Sequence, residues 1–132
     1  MEKNIQKFLE SRKFAVVGAS TDRSKYGNKV LRCYQQQGLP VVPVHPVQPQ
    51  IEGLSCVSSV SELPSEVESI SIITPPAVTE KVVDEAIQAG IKNVWMQPGA
   101  QSPPAVQACR NAGINLIADG SCLLVVLGYR ES

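Results

Sequence analysis

The chain has 132 residues, and its 12 Lys and Arg balance its 12 Asp and Glu to a formal net charge of zero. A neutral surface with interspersed signs carries no electrostatic footprint for nucleic acid. The length suits one domain over 1–132, able to close a hydrophobic core. No cationic start leads into an apolar stretch, and the late apolar run 122–127 is too short to cross a bilayer. The sequence therefore predicts a cytoplasmic protein without membrane contact. Cys33, Cys56, Cys109 and Cys122 are widely spaced and form no C-x-x-C pair; they read as reduced thiols, neither metal ligands nor a disulfide framework.

Ile5, Phe8 and Leu9 recur at helical spacing among charged residues, which predicts a short amphipathic helix packed on the domain edge. Phe14 to Val17 form an apolar run too short for a helix, and 13–17 read as the first strand. Gly18, Ala19 and Ser20 keep side chains small where the chain leaves that strand, so backbone N–H groups can approach a ligand closely. A helix is predicted over 28–37, with Val30, Leu31 and Tyr34 inward and Gly38 as its stop.

Residues 39–44 read as the second strand, with Pro40 and Pro43 at positions where no ladder donor is needed. A stiff loop follows from His45 to Pro49. Residues 51–54 read as a turn, 56–57 as a short edge strand, and 61–64 as a turn or brief helix. The strand at 69–73 stops at Thr74-Pro75-Pro76. The next helix places Val78, Val82, Val83, Ala86 and Ile87 on one face and ends at Gly90. A strand at 91–96 leads to Gln97-Pro98-Gly99-Ala100. Ser102 is an N-cap candidate with Pro103 at the first helical position, and that helix turns Val106, Cys109 and Ala112 inward. The strand at 114–118 precedes Asp119-Gly120-Ser121-Cys122.

Strands alternating with helices of this length predict an α/β fold. It is a doubly wound, mostly parallel, Rossmann-like sheet with helices on both faces. Ligands of such sheets bind at the carboxyl rim of the strands. The exits there are 18–26, 43–47, 74–76, 97–100 and 119–122, and small, amide or proline-rich residues recur at four of them.

The first exit departs from the G-x-G-x-x-G dinucleotide pattern, because Gly18 is followed by Ser20 and the next glycine is Gly27. This longer loop suits a diphosphate on the backbone at Ala19 and Ser20, with Arg23 or Lys25 reaching a further phosphate. NAD recognition wants an acid at the end of the second strand, and this chain has His45 there. A phosphorylated ribose would instead be met by His45, Arg23 or Lys25, which favours the phosphoadenosine end of coenzyme A or of NADP. His45 has no Ser, Asp or Cys partner in sequence and reads as a packing or hydrogen-bonding group; no catalytic and no metal-binding residue is predicted. Prolines 75 and 76 could wall an adenine or a pantetheine arm. Cys122 could meet a thiol ligand, but no neighbouring cation marks it as reactive.

Taken in order, several segments resemble the coenzyme A-binding domain family, which includes the N-terminal Rossmann-like unit of the succinyl-CoA synthetase α subunit. They are Val16-Val17-Gly18-Ala19-Ser20 with the loop to Tyr26-Gly27, Val42-Pro43-Val44-His45-Pro46, Ile73-Thr74-Pro75-Pro76, the stretch Ala89 to Gly99, and Ala112-Gly113-Ile114. The resemblance implies a small cytoplasmic protein that binds coenzyme A or an acyl-CoA without catalysis of its own. It implies that Gly18, Ala19, Ser20, Arg23, Lys25 and Tyr26 hold the phosphates. Pro43, Val44 and His45 would flank the adenosine, with Thr74, Pro75 and Pro76 opposite. Gln97 stands where the synthetase relatives carry an acid. The synthetase's phosphohistidine domain has no counterpart here, so ligase chemistry is not implied. The alternatives are a minimal NADP-linked oxidoreductase and a cofactor-sensing regulator. An exposed apolar face at 123–127 would point to that regulator or to a homodimer; burial as a last strand would not.

Overall fold

The computed structural model describes residues 2–131. Its five-stranded parallel sheet is built from β1 (Lys13–Val17), β2 (Val41–Val44), β5 (Val67–Ile72), β6 (Asn93–Met96) and β7 (Asn115–Ile117). The order is β2-β1-β5-β6-β7. The sequence direction reverses between β1 and β5, the crevice where open α/β sheets take their ligands. This is the α/β, Rossmann-like, doubly wound architecture expected from the alternation of strands and helices.

Strand period sorts the side chains into two cores. From β1, Ala15 and Val17 point to the side covered by α3 (Pro76–Ala89) and α4 (Pro103–Asn111), where they join Ile70, Ile72, Val83 and Met96. Phe14 and Val16 point to the other side, against α1 (Lys3–Leu9) and α2 (Tyr26–Gln36), with Phe8, Leu31, Tyr34 and Trp95. The second side is aromatic. Phe14 lies 5.1 Å from Tyr34, and Phe8 meets Trp95 edge-on at 5.3 Å between ring centroids. Strand β5 makes room for these rings with Ser69 and Ser71, both fully buried. Ser71 hydrogen-bonds the Tyr34 hydroxyl at 2.7 Å, so the small polar side chain costs no unpaired group.

Several elements depart from the sequence reading in detail. Helix α2 starts at Tyr26, two residues before the expected Asn28. The expected turn at 51–54 is the tip of a hairpin of β3 (Gln50–Ile51) and β4 (Leu54–Ser55). Glu52 at φ 51° and Gly53 at φ 79° are both left-handed, the signature of a type I′ turn. Val57 adds one parallel bridge to Val44. In α3, Val78 and Ile87 are exposed, while Thr79 takes the buried place beside Val82, Val83 and Ala86. In α4 it is Ala105, with Cys109, that is buried, and Ala112 is exposed. Ser102 sits at the N-cap of α4, but its hydroxyl donates to Glu80 at 2.6 Å instead of capping the helix.

The run 123–127 is neither strand nor open patch. It forms a one-turn helix, α5 (Leu123–Val126), which buries Leu123 fully and leaves Val125 exposed. The Trp95 indole N–H donates to the Ser121 carbonyl at 2.9 Å and pins the start of this segment to the sheet.

Candidate functional site

At the rim, β1 gives way to Gly18, whose φ of 97° is a conformation glycine adopts without strain. A Cβ there would stand 3.2 Å from the Ile73 carbonyl carbon, so the β1 and β5 exits touch. A Cβ on Gly27 would fall 2.0 Å from the Gly18 carbonyl oxygen. The first turn of α2 therefore lies directly on the strand-exit turn, closer than any side chain allows. That turn has no side-chain cap among the described residues, and Lys25 occupies the N-cap position. The positive end of the helix dipole therefore lies at the strand exit, a ready place for an anion.

The intervening loop is folded by its own short side chains. Ser20 Oγ accepts the Asp22 N–H at 3.0 Å, and Asp22 Oδ1 accepts the Ser24 N–H at 2.9 Å and the Ser24 hydroxyl at 2.6 Å. The Ser24 hydrogen bonds hold the Asp22 carboxyl below its usual range.

A second layer braces the loop from behind. Buried Asn28 donates from Nδ2 to the Ser20 carbonyl at 2.8 Å and to Glu52 Oε2 at 3.0 Å. Its Oδ1 accepts from Arg32 Nε at 2.7 Å, and Arg32 Nη2 donates to the Arg23 carbonyl at 2.9 Å. Glu52 closes the circuit by pairing with Arg23, Nε to Oε2 at 3.3 Å. The Asn28 hydrogen bond, then the Arg23 and Arg32 charges, hold the Glu52 carboxyl below the ordinary carboxylate range. The left-handed backbone of Glu52 is uncommon for a residue with a long side chain, and these contacts hold it there.

Beside the helix start opens a cleft of about 560 Å³. Tyr26 contributes from α2, Ile73, Thr74 and Pro75 from the β5 exit, Pro98, Gly99 and Ala100 from the β6 exit, and Cys122 from the last loop. Most of this wall is apolar. Thr74 is fixed by Thr79, the two hydroxyls lying 2.8 Å apart. Under the cleft, fully buried Gln97 accepts on Oε1 from the Leu123 N–H at 2.9 Å and from the Tyr26 hydroxyl at 3.0 Å. The Leu123 donor fixes which end of the carboxamide is oxygen. Gln97 Nε2 is then buried with no hydrogen-bond partner among the described residues. Tyr26 also lies 2.7 Å from Cys122 Sγ. Burial first, then this contact, push the Tyr26 hydroxyl far above its ordinary pKa.

The fold thus brings Tyr26, Thr74 and Pro75 into one cleft wall, sets Gln97 beneath it and places Gly18, Ala19 and Ser20 at the adjoining turn. It does not bring every predicted residue there. Arg23 is tied to Glu52, and Lys25 is exposed at the N-cap of α2. Pro43 and Val44 are buried within β2. His45 stands at the exit of β2, where its Nδ1 accepts the Val47 and Gln48 N–H groups at 3.1 and 3.0 Å and shapes the following loop. Pro76 is the exposed first residue of α3. Sequence reasoning missed Asn28, Arg32 and Glu52. Asn28 and Arg32 carried one signal, an i, i+4 polar pair on a helix face otherwise turned inward.

Known proteins share this fold over most of the chain's length. A profile described as a CoA binding domain matches residues 12–127. The α subunit of ADP-forming acetate–CoA ligase II from Pyrococcus furiosus is 33% identical over 88 residues, which cover 66% of this chain but only 19% of that subunit. Bacillus subtilis YneT is 25% identical over 116 residues, 87% of this chain and 86% of YneT. Among solved structures, a conserved hypothetical protein from Pyrococcus furiosus superposes with a TM-score of 0.83 at 43% identity, covering 87% of this chain and 98% of that one. The dinucleotide-forming acetyl-coenzyme A synthetase 1 of Candidatus Korarchaeum cryptofilum, in complex with phosphate and ADP, gives a TM-score of 0.77 at 27% identity over 89% of this chain and 28% of its own. With nearly its whole length matched, the chain belongs to the CoA binding domain family.

Proposed function

We propose that this protein binds coenzyme A or an acyl-CoA at the carboxyl rim of its sheet, through the phosphoadenosine and diphosphate end, and carries out no acyl activation itself. The observation that carries the reading is the Gly27–Gly18 contact. It lays the uncapped start of α2, with the positive end of its dipole, across the strand exit beside an apolar cleft. An anionic diphosphate suits the first feature and a neutral, flexible arm suits the second. Ala19, Ser20 and the first turn of α2 would hold the diphosphate. Lys25, exposed at the N-cap of α2, would serve the further phosphate, joined by Arg23 once it leaves its ion pair with Glu52. His45 would flank the adenosine, and Tyr26, Thr74 and Pro75 would line the path of the arm.

An NAD(P)-type ligand is the second reading, and Glu52 favours it. The hairpin returns to the loop a carboxylate that the end of β2 lacks. That carboxylate is already engaged by Arg23 and Asn28, which leaves coenzyme A the better match. Amide chemical shifts test the placement. Adding coenzyme A should perturb Ala19, Ser20 and residues 26–28 most strongly; perturbations confined to the opposite, amino-terminal edge of the sheet would overturn it.

A further inference from the structure

The lining of the cleft contains a nucleophile that coenzyme A binding alone does not use. Among the four cysteines, Cys33 and Cys109 are fully buried, and burial pushes both thiols up to about 11. Cys56 is partly exposed and sits next to the hairpin. Cys122 alone lines the cleft, and it does so with its sulfur against the Tyr26 hydroxyl.

The hydrogen bond between that sulfur and the Tyr26 hydroxyl can run in either direction. In one arrangement the Tyr26 hydroxyl gives its single hydrogen to Gln97 Oε1, which can only accept. In that arrangement the Cys122 S–H donates to the Tyr26 oxygen. Gln97 Oε1 keeps a second donor in the Leu123 N–H, so Tyr26 can turn its hydrogen to the sulfur without stranding the carboxamide oxygen. A thiolate at Cys122 would thus gain an O–H donor held at contact distance. The same carboxamide carries Nε2, which is buried and has no hydrogen-bond partner among the described residues.

We propose that Cys122 is a covalent capture site for the thiol end of the ligand, exchanging with coenzyme A disulfide to form a protein–coenzyme A mixed disulfide. The proposal rests on coenzyme A being the ligand. In the step, the Cys122 thiolate attacks one sulfur of the disulfide. The old S–S bond breaks as the new one forms, and one coenzyme A leaves as a thiolate. Cys122 is oxidised to the disulfide level and the departing half is reduced. The proton lost by Cys122 to solvent is balanced by the one the departing thiolate takes up. No other oxidant is required. Holding the reagent by its nucleotide end would raise the local concentration of its disulfide at Cys122 to the millimolar range or above.

Intact-mass analysis with peptide mapping tests this on the full chain. Coenzyme A disulfide should add one coenzyme A at Cys122, reversibly with dithiothreitol. The rate should exceed that with glutathione disulfide by about tenfold or more, because glutathione lacks the nucleotide end. Saturating desulfo-coenzyme A, which lacks the thiol, should block the reaction. Cys122→Ser should abolish the adduct while Cys56→Ser keeps it, both checked by thermal melting, and Tyr26→Phe should slow formation severalfold. Binding of desulfo-coenzyme A without any adduct at Cys122 overturns the capture site and leaves the binding reading intact. Equal rates with both disulfides, unaffected by desulfo-coenzyme A, also overturn it. Failure of desulfo-coenzyme A to bind removes the binding reading and this proposal together.

Discussion

A Cβ on Gly27 would lie 2.0 Å from the Gly18 carbonyl oxygen, a separation that no real side chain tolerates. The obstacle is backbone, so it cannot be relieved by turning a rotamer. Replacing Gly27 with Ala must push α2 off the strand exit. Overpacking of this kind costs about 1–3 kcal/mol, and the rigid partner argues for the upper end or beyond. Urea denaturation of Gly27→Ala should show that loss. Coenzyme A binding should weaken with it, because the helix start no longer faces the same point. A variant with native stability and native affinity would mean the contact does not set the site.

Asn28 joins three parts of the loop support, the Ser20 carbonyl, the Glu52 carboxylate and the Arg32 guanidinium. Asn28→Ala would leave the part-buried Ser20 carbonyl and part of a guanidinium without Asn28 as partner. The expected loss is about 1–3 kcal/mol of stability. Arg32→Lys should not rescue the geometry, since one ammonium cannot reproduce a guanidinium that reaches Asn28, the Arg23 carbonyl and Glu131 together. Denaturation midpoints of the two variants, measured side by side, check both statements.

Arg23 separates stability from binding. Its ion pair with Glu52 is largely open to solvent on the Arg23 side, so removing it should change stability by no more than about 1 kcal/mol. If Arg23 also meets the ribose phosphate, Arg23→Ala should weaken coenzyme A binding by about 1–3 kcal/mol and leave dephospho-coenzyme A nearly unaffected. Equal weakening of both ligands would assign Arg23 to the loop's shape instead.

Stability should fall at both ends of the pH scale. The Asp22, Glu52 and Glu131 carboxyls all lie below their ordinary range in the folded protein. The stabilisation from such groups is complete above the unfolded carboxylate pKa of about 4 and is lost as pH drops through the lowered folded value. Cys33 and Cys109, raised from 9.0 to about 11, act in the opposite direction. Their contribution is complete below pH 9 and is lost as pH rises toward 11, because the unfolded thiols ionise first. Urea midpoints from pH 3 to 11 should form a plateau with two falling edges, and Glu52→Gln should make the acid edge shallower.

The layered fold was legible because its causes are local. Apolar runs of strand length, helical spacing, Gly90 after α3 and Pro103 opening α4 each act within a few residues. The first half of the site was legible for the same reason, since Gly18 to Tyr26 is one contiguous turn. The bracing of that turn was not, because Asn28 and Glu52 meet only when the hairpin folds back over α2. Glu52 was hidden twice: a glutamate is an uncommon choice for the left-handed first position of a type I′ turn. The Tyr26–Cys122 contact spans 96 residues and depends on Trp95 pinning Ser121, which no periodicity reveals.

Calorimetric titration of the protein with coenzyme A, dephospho-coenzyme A, NADH and NADPH tests the central claim most directly. The account predicts that coenzyme A binds tightest, that loss of its ribose phosphate weakens binding by about tenfold or more, and that both nicotinamide dinucleotides bind more weakly than coenzyme A. Preference for NADPH or NADH, or no binding of coenzyme A, would contradict it.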